Sequence, residues 1–401
     1  MSDLDASPVA VPSCPIASTR DDRKSARLAA ERVTPAPGAH VADRFLFARE
    51  VLRSASMRQA AVIENRFASD DPHKVPVFFL DGEPHRKKRA EIARFFTPTA
   101  IATRYQRVME RTTDALLARL RIRGRDMLDR MSFELAVAVA ADIIGLTNSD
   151  RGAMARRIRA TLSSGITRRS NRVTRGVANL LQGFHGFRFL VCDVRPAIGA
   201  RRRQRGDDVI SHLLDEDYSE KAILIECLTY AAAGMVTTRE FIVMAAWHLF
   251  ERDELRQRFI TADEDDQIAI LEEILRLEPV ASMLTRRAAE ATPSVTGTIP
   301  ADTLIAIDIR SANLDESVVG ACPYTLDPDR GKRAKTGTHL SFGDGRHRCP
   351  GAQVALHETR VFLDRLFRVP GIRMASEPTL LWCDELGSYE LRDATIACER
   401  A

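Results

Sequence analysis

One cysteine near the C-terminus is surrounded by residue types that suit a metal-bound thiolate. The stretch from His339 to Glu358 reads HLSFGDGRHRCPGAQVALHE, and its cysteine is Cys349. A metal-bound cysteine is a thiolate, which needs nearby positive charge, backbone N–H donors and room for close approach. Glycines on both sides allow that approach, and the arginines and histidine just before the cysteine supply positive charge. A helix predicted to begin near Gly351 points its positive dipole end at the sulfur. The stretch therefore indicates a site with a single thiolate ligand.

Other chemistries fit this stretch less well, although a cysteine taken alone is most often inert and structural. A zinc site needs about three further ligands at short spacing, whereas His347 and Cys349 supply only two and are poorly placed to chelate together. A dinucleotide-binding loop follows a strand and reads GxGxxG, but FGDGRHRCPG has Arg348 at the third glycine position. The seven cysteines are scattered without a CxxC pair, which fits neither a disulfide framework nor a zinc ribbon. We expect most of them to be core or surface thiols.

The decapeptide resembles the heme-binding signature of the cytochrome P450 family, FGxGxHxCxG. Its fixed positions are all matched, by Phe342, Gly343, Gly345, His347, Cys349 and Gly351. The resemblance implies a heme b cofactor whose iron has Cys349 as its axial ligand, and a thiolate in that position favours O–O bond cleavage. It also implies that Phe342 and Gly343 lie against the heme beside the sulfur and that His347 hydrogen-bonds a heme propionate.

A second family motif is an ExxR pair. EEILR places Glu273 and Arg276 three residues apart, on one face of a helix where they can form an ion pair. Alone, such a pair is common on protein surfaces. In the family this pair joins an arginine of the segment before the cysteine loop, and Arg330 of LDPDR occupies that place. The resemblance implies that the three side chains form structural support for the cysteine loop.

Three further side chains are implied as propionate ligands by the same resemblance. DGEPHRKKRAEIARFFTP is similar to the family's propionate-binding helix, and it places His85 and Arg89 four residues apart on one helical face. TRRAAE is similar to the family's RxA strand, which makes Arg286 the third candidate. A guanidinium can hold a carboxylate with two parallel hydrogen bonds.

The stretch AAAGMVTTRE resembles the family's oxygen-activating helix, whose pattern is AGx(D/E)T. Ala233, Gly234 and Thr237 match, and the resemblance implies a catalytic role in proton delivery for Thr237. Val236 stands where the acid belongs, and Glu240 lies almost a full turn further on. Cleavage of dioxygen needs protons from a positioned relay, and a valine side chain cannot supply them. Ordinary hydroxylation with rerouted protons and oxidative C–C or C–N coupling of an aromatic or cyclic-dipeptide substrate therefore both remain open.

Helical periodicity dominates the rest of the chain, and extended segments are few and short. Apolar spacing predicts helices over 101–120, 126–145, 219–251 and 268–278, and the best strand is predicted within 302–310. The long segment 219–251 has a weak centre, because Gly234 and the two following threonines destabilise or bend helices. We predict a mainly α protein with a small β region.

The resemblance implies the cytochrome P450 fold, a triangular helical prism with short side sheets. No clear linker divides the chain after its proline-containing start. We expect residues 1–20 to be a flexible tail and residues 21–401 to form a single domain.

Composition and charge exclude several classes of protein. The chain has 401 residues, 45% of them hydrophobic, and a net charge of +4, which is too mild to indicate nucleic-acid binding. The N-terminus lacks the basic region and continuous apolar core of a signal peptide. The most apolar helical window contains Arg239 and Glu240, which would be costly in a bilayer. We expect a cytoplasmic protein that binds neither membrane nor nucleic acid.

Two basic clusters, 85–89 and 331–335, would lie near the cysteine side of the heme in such a fold. A positive surface attracts an acidic electron donor and raises its association rate. We expect a separate ferredoxin with its reductase, because the chain contains no recognisable flavin or iron–sulfur module. Lys87, Lys88 and Lys332 are the predicted contacts; the alternative is that these are solvated lysines at helix ends.

The substrate is expected between the central helix, the segment PVASMLT and the turn ELGSYE. The predicted contacts are Ala233, Met283, Leu284 and Ser388, with a lid formed by the regions 57–79 and 160–190. The arginine-rich stretch 165–176 would suit an anionic or carrier-bound substrate, but a solvated helix face is the better interpretation of it.

These observations predict a bacterial-type heme-thiolate monooxygenase that oxidises a small organic molecule, in natural-product metabolism, with dioxygen and donated electrons. The cofactor carries the difficult chemistry, and the protein positions substrate and protons. The rival from another class is a heme-binding sensor or scaffold without turnover. Substrate-dependent electron consumption separates the two.

Overall fold

The structure is a computed structural model that describes residues 21–31, 38–60, 71–162, 181, 183–334, 337–383 and 388–400. The described part is mostly helical with small sheets, so the predicted fold class is confirmed. The expected tail, residues 1–20, lies outside the described residues.

Long helices provide most of the scaffold. They are α1 (Phe45–Arg53), α2 (Gly82–Ala93), α3 (Gln106–Arg123), α4 (Leu128–Ile144), α5 (Arg151–Leu162), α6 (Arg195–Arg203), α7 (Val209–Asp215), α8 (Glu220–Tyr230), α9 (Thr237–Glu251), α10 (Asp253–Thr261), α11 (Glu264–Leu277) and α12 (Ala352–Phe367). Residues 183–189 are also helical.

Short helical segments connect these helices. Single α-helical turns lie at Pro98–Ala100, Ile309–Ala312, Glu316–Val319 and Arg330–Arg333; 3-10 segments lie at Ser25–Glu31, Pro72–Lys74, Val77–Phe79, Arg94–Phe96 and Gly345–His347; π-helical segments lie at Ile101–Tyr105, Leu190–Val194 and Ala231–Val236.

The strands are short and form four small sheets. They are β1 (His40–Ala42), β2 (Met57–Gln59), β3 (Arg125–Met127), β4 (Met283–Ala288), β5 (Thr292–Ser294), β6 (Gly297–Ile299), β7 (Leu304–Asp308), β8 (Arg373–Ser376), β9 (Thr379–Cys383), β10 (Ser388–Arg392) and β11 (Thr395–Ala397). The largest sheet has the order β1-β7-β4-β2, in which only the β1–β7 pair is parallel. The other sheets are β10-β9, β3-β11-β8 and β5-β6.

The main core surrounds α9, whose side chains are buried along almost its whole length. This helix packs against α4 and α12, and α4 is itself apolar on most sides. A second, smaller core lies where α1 packs near the largest sheet, and it includes Phe45, Leu52 and Ile305. The two cores enclose the chain segments that carry the motif residues.

Local sequence signals explain the ends of the helices that matter most for the site. α11 begins after Asp263, whose carboxylate accepts a hydrogen bond from the Asp266 amide at 2.9 Å, and an aspartate at this position stabilises a helix start. Acidic residues fill the first turn of α11, where they interact favourably with the helix dipole. α4 ends at Gly145, whose φ of 98° is a conformation that favours glycine.

The weak centre predicted for the segment 219–251 is present. α8 and α9 are joined by the π-helical segment Ala231–Val236, which contains Gly234. π-helical turns are rare, and they often occur at functional sites. The segment ends directly before Thr237, the predicted catalytic residue.

The described cysteines are mostly free thiols, as expected. Cys227 and Cys398 are buried, Cys383 is partly buried, and Cys192 and Cys349 are exposed. Cys322 is an exception, because it is disulfide-bonded. Separately, no helix in the described part of the chain has both the length and the apolarity that a bilayer span requires.

Candidate functional site

The cysteine loop is held in shape by its own backbone. The Cys349 amide donates to the Phe342 carbonyl at 2.9 Å, and the Gly343 amide donates to the Leu340 carbonyl at 2.7 Å. α12 starts three residues after the cysteine. The loop therefore presents the sulfur close to the beginning of a helix, as the sequence predicted.

Helix α1 packs directly on this loop. Gly345 has φ +65°, and a Cβ atom there would lie 2.5 Å from the Leu52 carbonyl oxygen, so no larger residue fits. Next to it, the carboxylate of Asp344 accepts hydrogen bonds from Arg49 at 3.0 Å and from Arg53 at 2.9 Å. Contacts with a distant part of the chain thus fix the conformation of the loop.

Two opposing influences act on the thiol of Cys349. Its side chain has accessible surface, yet it is deep enough that burial is the main influence and raises its pKa. A hydrogen bond from the Gly351 backbone and the positive charges of Arg89 and Arg348 act in the other direction. A thiol in this environment becomes a thiolate when a metal ion binds it. Among the described residues, no cluster of three or more His, Cys, Asp or Glu side chains is placed to hold a metal ion.

Two arginines near the loop lack a counter-charge. Arg286, on β4, is 3% exposed, and its guanidinium donates to the Thr285 carbonyl at 2.8 Å. Arg89 donates to the Arg348 carbonyl at 2.7 Å. In the part of the chain that the structure describes, neither has a carboxylate oxygen within 4.0 Å. Burial lowers the pKa of Arg286 to about 10 and also lowers the pKa of Arg89.

A buried cation without an ion-pair partner is costly. Arg286 is buried and Arg89 is partly buried, so the two arginines suit a ligand that brings its own carboxylates. The propionate groups of heme are such carboxylates. The accessible cysteine and the unpaired cations together fit the cofactor that the sequence motif implies.

Two histidines stack beside the loop. The rings of His85 and His347 have centroids 4.0 Å apart, with 30° between their planes. Burial is the main cause that lowers the pKa of His85 to about 4, with the charges of His347 and Arg89 adding to it, so His85 is neutral at physiological pH. His347 Nε2 lies 3.1 Å from an Asp81 carboxylate oxygen. The predicted role of His347 as a propionate ligand remains a prediction, because the structure shows it hydrogen-bonded to Asp81.

Asp81 is a site residue that the sequence reasoning missed. It directly precedes α2, and its second oxygen accepts from the Gln59 amide at 2.8 Å. The sequence could have indicated this residue, because an aspartate is common directly before a helix and Asp81 precedes the predicted helix that carries His85.

The ExxR residues come together with the predicted arginine. Glu273 and Arg276 form two hydrogen bonds of 2.8 Å, and Arg330 Nε lies 3.2 Å from Glu273. Arg276 is fully buried and also donates to the carbonyls of Asn313 at 3.0 Å and Pro323 at 2.8 Å.

This cluster reaches the cysteine loop through two residues that were not predicted. The Asn313 side-chain amide donates to the Arg276 carbonyl at 3.0 Å and to the Ser341 hydroxyl at 2.9 Å. Ser341 lies immediately before Phe342, and its hydroxyl donates to the Leu275 carbonyl at 2.7 Å. The start of the loop is therefore tied to α11 through the carbonyls of Leu275 and Arg276.

The central helix has no free acid next to Thr237. The Thr237 hydroxyl donates to the Ala233 carbonyl at 2.5 Å, and both residues have accessible surface. Glu240 is fully buried, accepts from the Leu391 amide at 2.7 Å and from Arg392 at 2.9 Å, and also pairs with Arg239. The carboxylate of Glu240 is thus used to join α9 to β10. It does not replace the acid that Val236 lacks.

The predicted substrate contacts lie on three elements. Ala233 is in the π-helical segment, and Met283 and Leu284 begin β4, which continues to Arg286. A Cβ atom on Gly343 would touch Leu284 at 3.9 Å, so Leu284 lies against the cysteine loop. Ser388 begins β10, where its backbone pairs with Cys383.

Much of the predicted lid lies outside the described residues. In the first lid region, 57–79, the structure does not describe residues 61–70. In the second, 160–190, it does not describe residues 163–180 and 182. The arginine-rich stretch 165–176 falls within the latter gap.

The basic surface is smaller than predicted. The prediction that Lys88 is one of its contacts is wrong, because Lys88 is not on the surface. Lys88 is buried and bonded to Glu226, because the turn of α2 that carries it faces the protein interior. Lys87 is exposed, and Lys332 is exposed but pairs with Asp266 at 2.9 Å and Asp329 at 3.2 Å. Lys335 lies outside the described residues.

An open cavity of about 890 Å³ lies beside the cysteine loop, between it and α11. Its lining combines both signs of charge, and it includes Asp263, Asp265, Asp266, Glu272, Lys332 and Arg348 together with Phe342 and Gly343. The surface on this side is therefore mixed in charge, with acidic residues contributed by α11.

Known proteins share both the sequence motifs and the architecture. A family model described as Cytochrome P450 matches residues 268–369. The chain is 28% identical to erythromycin C-12 hydroxylase of Saccharopolyspora erythraea over 295 residues, which are 72% of this chain and 71% of that protein. It is 28% identical to cyclomarin C epoxidase CymV of Salinispora arenicola over 296 residues, 72% of this chain and 71% of that protein. The crystal structure of CalO2 has the same fold, with a TM-score of 0.74 and 23% identity over 90% of this chain and 93% of that one.

Proposed function

This chain belongs to the cytochrome P450 family, and from that premise we propose that it oxidises a small organic molecule with dioxygen and electrons from a ferredoxin. The observation that carries the proposal is the accessible Cys349 in a loop flanked by two cations without carboxylate partners, Arg89 and Arg286. The chain is an oxidoreductase of the monooxygenase type, and its relatives include enzymes of bacterial secondary metabolism. We propose a natural-product substrate and a cytoplasmic location, with residues 21–401 as the catalytic domain and no binding to nucleic acid.

In this proposal heme b is held by residues that the structure groups together. Cys349 would bind the heme iron through its sulfur, Phe342 and Gly343 would contact the heme beside that sulfur, and Arg89, Arg286, His85 and His347 would bind the propionates. The heme supplies dioxygen activation, and the thiolate ligand favours O–O cleavage. Neutral His85 donates a hydrogen bond without adding a charge, whereas the arginines neutralise the carboxylates.

Proton delivery is the step in which this chain departs from its family. The Thr237 hydroxyl is accessible, but Val236 carries no proton and Glu240 is held by Arg392 and the Leu391 amide. We propose that Thr237 passes protons from water to the oxygen site. The absence of a free acid also supports the second candidate, oxidative coupling of an aromatic or cyclic-dipeptide substrate without oxygen insertion.

Introducing the missing acid should alter the outcome of the reaction. We expect Val236→Asp to raise the fraction of consumed electrons that appear in product, and to shift the product towards oxygen insertion, by about tenfold or more, because a positioned acid contributes about 100-fold or more. The measurement is product analysis and electron counting with a substrate found by its shift of the heme spin state.

Val236→Asn is the matched control, because asparagine has nearly the shape of aspartate but no acidic proton. If the aspartate and asparagine variants both retain the wild-type product and coupling, the missing acid does not determine the chemistry.

The electron donor is proposed to be an acidic ferredoxin that docks on the cysteine side. Lys87 is the better candidate contact, because its ion pair with Glu91 is long, at 3.8 Å, whereas Lys332 is paired more closely with both Asp266 and Asp329. We expect Lys87→Glu combined with Lys332→Glu to slow reduction by ferredoxin about tenfold at low salt, since steering by surface charge changes association rates by about 10- to 1,000-fold. The effect should shrink at high salt.

Lys221→Glu is the control for that measurement, because Lys221 is an exposed lysine in the first turn of α8. An equal slowing in the control, or unchanged reduction in the double variant at low salt, would reject this docking site. Consumption of electrons that depends on added substrate tests the whole proposal against a heme sensor or scaffold, which would show none.

A further inference from the structure

A buried ion pair joins the helix that carries the propionate candidates to the central helix. Lys88 Nζ on α2 lies 2.5 Å from Glu226 Oε1 on α8, and the two side chains are 6% and 2% exposed. Lys88 Nζ also donates to the Val75 carbonyl at 3.0 Å. Lysine and glutamate are rarely buried to this extent unless paired, so this contact fixes the distance between the two helices.

The surroundings of the pair restrict its movement further. Lys88 Nζ lies 5.4 Å from the ring centroid of Tyr218, a distance at which a cation is attracted to an aromatic face. The other partner of that ring is His73, stacked on Tyr218 with centroids 4.2 Å apart. The lysine head group is therefore held by a carboxylate, a carbonyl and an aromatic ring at once.

Arg89, the residue after Lys88, contacts the cysteine loop. Arg89 donates to the carbonyl of Arg348, the residue directly before Cys349, at 2.7 Å. One turn of α2 thus contacts the central helix through Lys88 and the cysteine loop through Arg89. Glu226 lies one turn before the π-helical segment Ala231–Val236.

We propose that Lys88 and Glu226 are positioning residues that hold Arg89 in place for the heme propionate, by clamping α2 to the central helix. This inference rests on the proposed heme site, because it concerns how firmly that site holds its cofactor. Without the clamp, α2 is free to shift along α8 and Arg89 loses its fixed position beside the cysteine loop. Loss of a residue that orients a metal-site group commonly weakens binding by about 10- to 100-fold.

The test is the rate at which heme leaves the protein, measured by transfer to an excess of heme-free globin. The main variant is Lys88→Met with Glu226→Leu, because a buried ion pair can be replaced by apolar residues with little loss of stability. We expect this double variant to retain the wild-type urea midpoint and to lose heme about tenfold faster. A heme-loss rate equal to that of the wild type would overturn the proposal.

If the double variant does not fold, heme loss can still be measured on a milder variant. Glu226→Gln preserves an oxygen that accepts from Lys88 but removes the charge, and it too should lose heme faster than the wild type. An unchanged rate in this variant also counts against the clamp. Lys87→Met is the control, since Lys87 is the exposed neighbour on α2; if it accelerates heme loss equally, the effect is general and the proposal is wrong.

A double-mutant cycle asks whether Lys88 acts through Arg89. In an Arg89→Met background, adding Lys88→Met together with Glu226→Leu should change the heme-loss rate by less than about twofold, because residues that act through one another are not additive. An undiminished tenfold effect in that background would show that Lys88 acts by another route. If the wild-type protein itself shows no thiolate-ligated heme in its absorption spectrum, the proposed function fails, and that result is distinct from any of these outcomes.

Discussion

Replacing Cys349 with serine should abolish the strongly red-shifted Soret band of the reduced, carbon-monoxide-bound protein. The band depends on a thiolate bound to the heme iron, and a serine hydroxyl cannot replace the electron donation of that ligand. The loop itself should survive, because its hydrogen bonds are made by the backbone of Phe342, Gly343 and Cys349. We therefore expect folded protein with little or no oxidation activity, measured by absorption spectroscopy and substrate turnover.

Cys192→Ser is the matched control, since Cys192 is also a free and exposed cysteine. This variant should keep the wild-type spectrum. If the band survives in the Cys349 variant, or the wild type binds no heme at all, the central assignment of the site is wrong.

Replacing Glu273 with glutamine should lower the free energy of unfolding by about 3–5 kcal/mol, the usual cost of breaking a buried ion pair. Arg276 and Arg330 are both buried, and Glu273 is the carboxylate that lies between them. The variant leaves two cations facing each other without a counter-charge. Because the Arg276 backbone is tied to the loop through Asn313 and Ser341, the heme content per chain should fall together with stability. Urea unfolding and the heme-to-protein absorbance ratio measure both effects.

The chain contains a closely matched control in Glu83→Gln. Glu83 pairs with Arg86 at the same three-residue spacing on a helix, but that pair is exposed. We expect no clear change in its unfolding midpoint, since exposed ion pairs contribute little. If both variants lose the same free energy of unfolding, burial of the ExxR pair is not the reason that Glu273 stabilises the fold.

Sequence reasoning anticipates best the local arrangements that are fixed by the spacing of nearby residues. Glu273 and Arg276 share a helical face at any position in a helix, and Cys349 lies in a loop whose glycines and following helix are adjacent in the chain. Gly234 and the two threonines that follow it were enough to predict a weak centre in the segment 219–251, where the structure has a π-helical segment. In each case a few consecutive residues contain the physical cause.

Lys88 and Asp81 show where that reasoning stops. Lys88 was predicted to be on the surface because it lies in HRKKR, and nothing near it in sequence reveals a partner 138 residues away. The pairing of His347 with Asp81 spans 266 residues and was missed for the same reason. Similarly, the distance in sequence between Val236 and Glu240 does not show that the Glu240 carboxylate bonds to Leu391 and Arg392 of β10. Whether a charged side chain is buried depends on tertiary contacts, and the spacing of residues along the chain gives no information about those contacts.

The packing of α1 against the cysteine loop has a consequence for the order of folding. Arg53 and Asp344 are 291 residues apart, and Arg89 and Arg348 are 259 residues apart. Contacts at such separations form only after the chain entropy of closing very long loops has been lost. A nascent chain that has already formed α1 and α2 has no site until residues near 350 have been synthesised and have docked against them. Heme binding at the proposed site therefore has to wait until the segment around Cys349 has docked against α1 and α2.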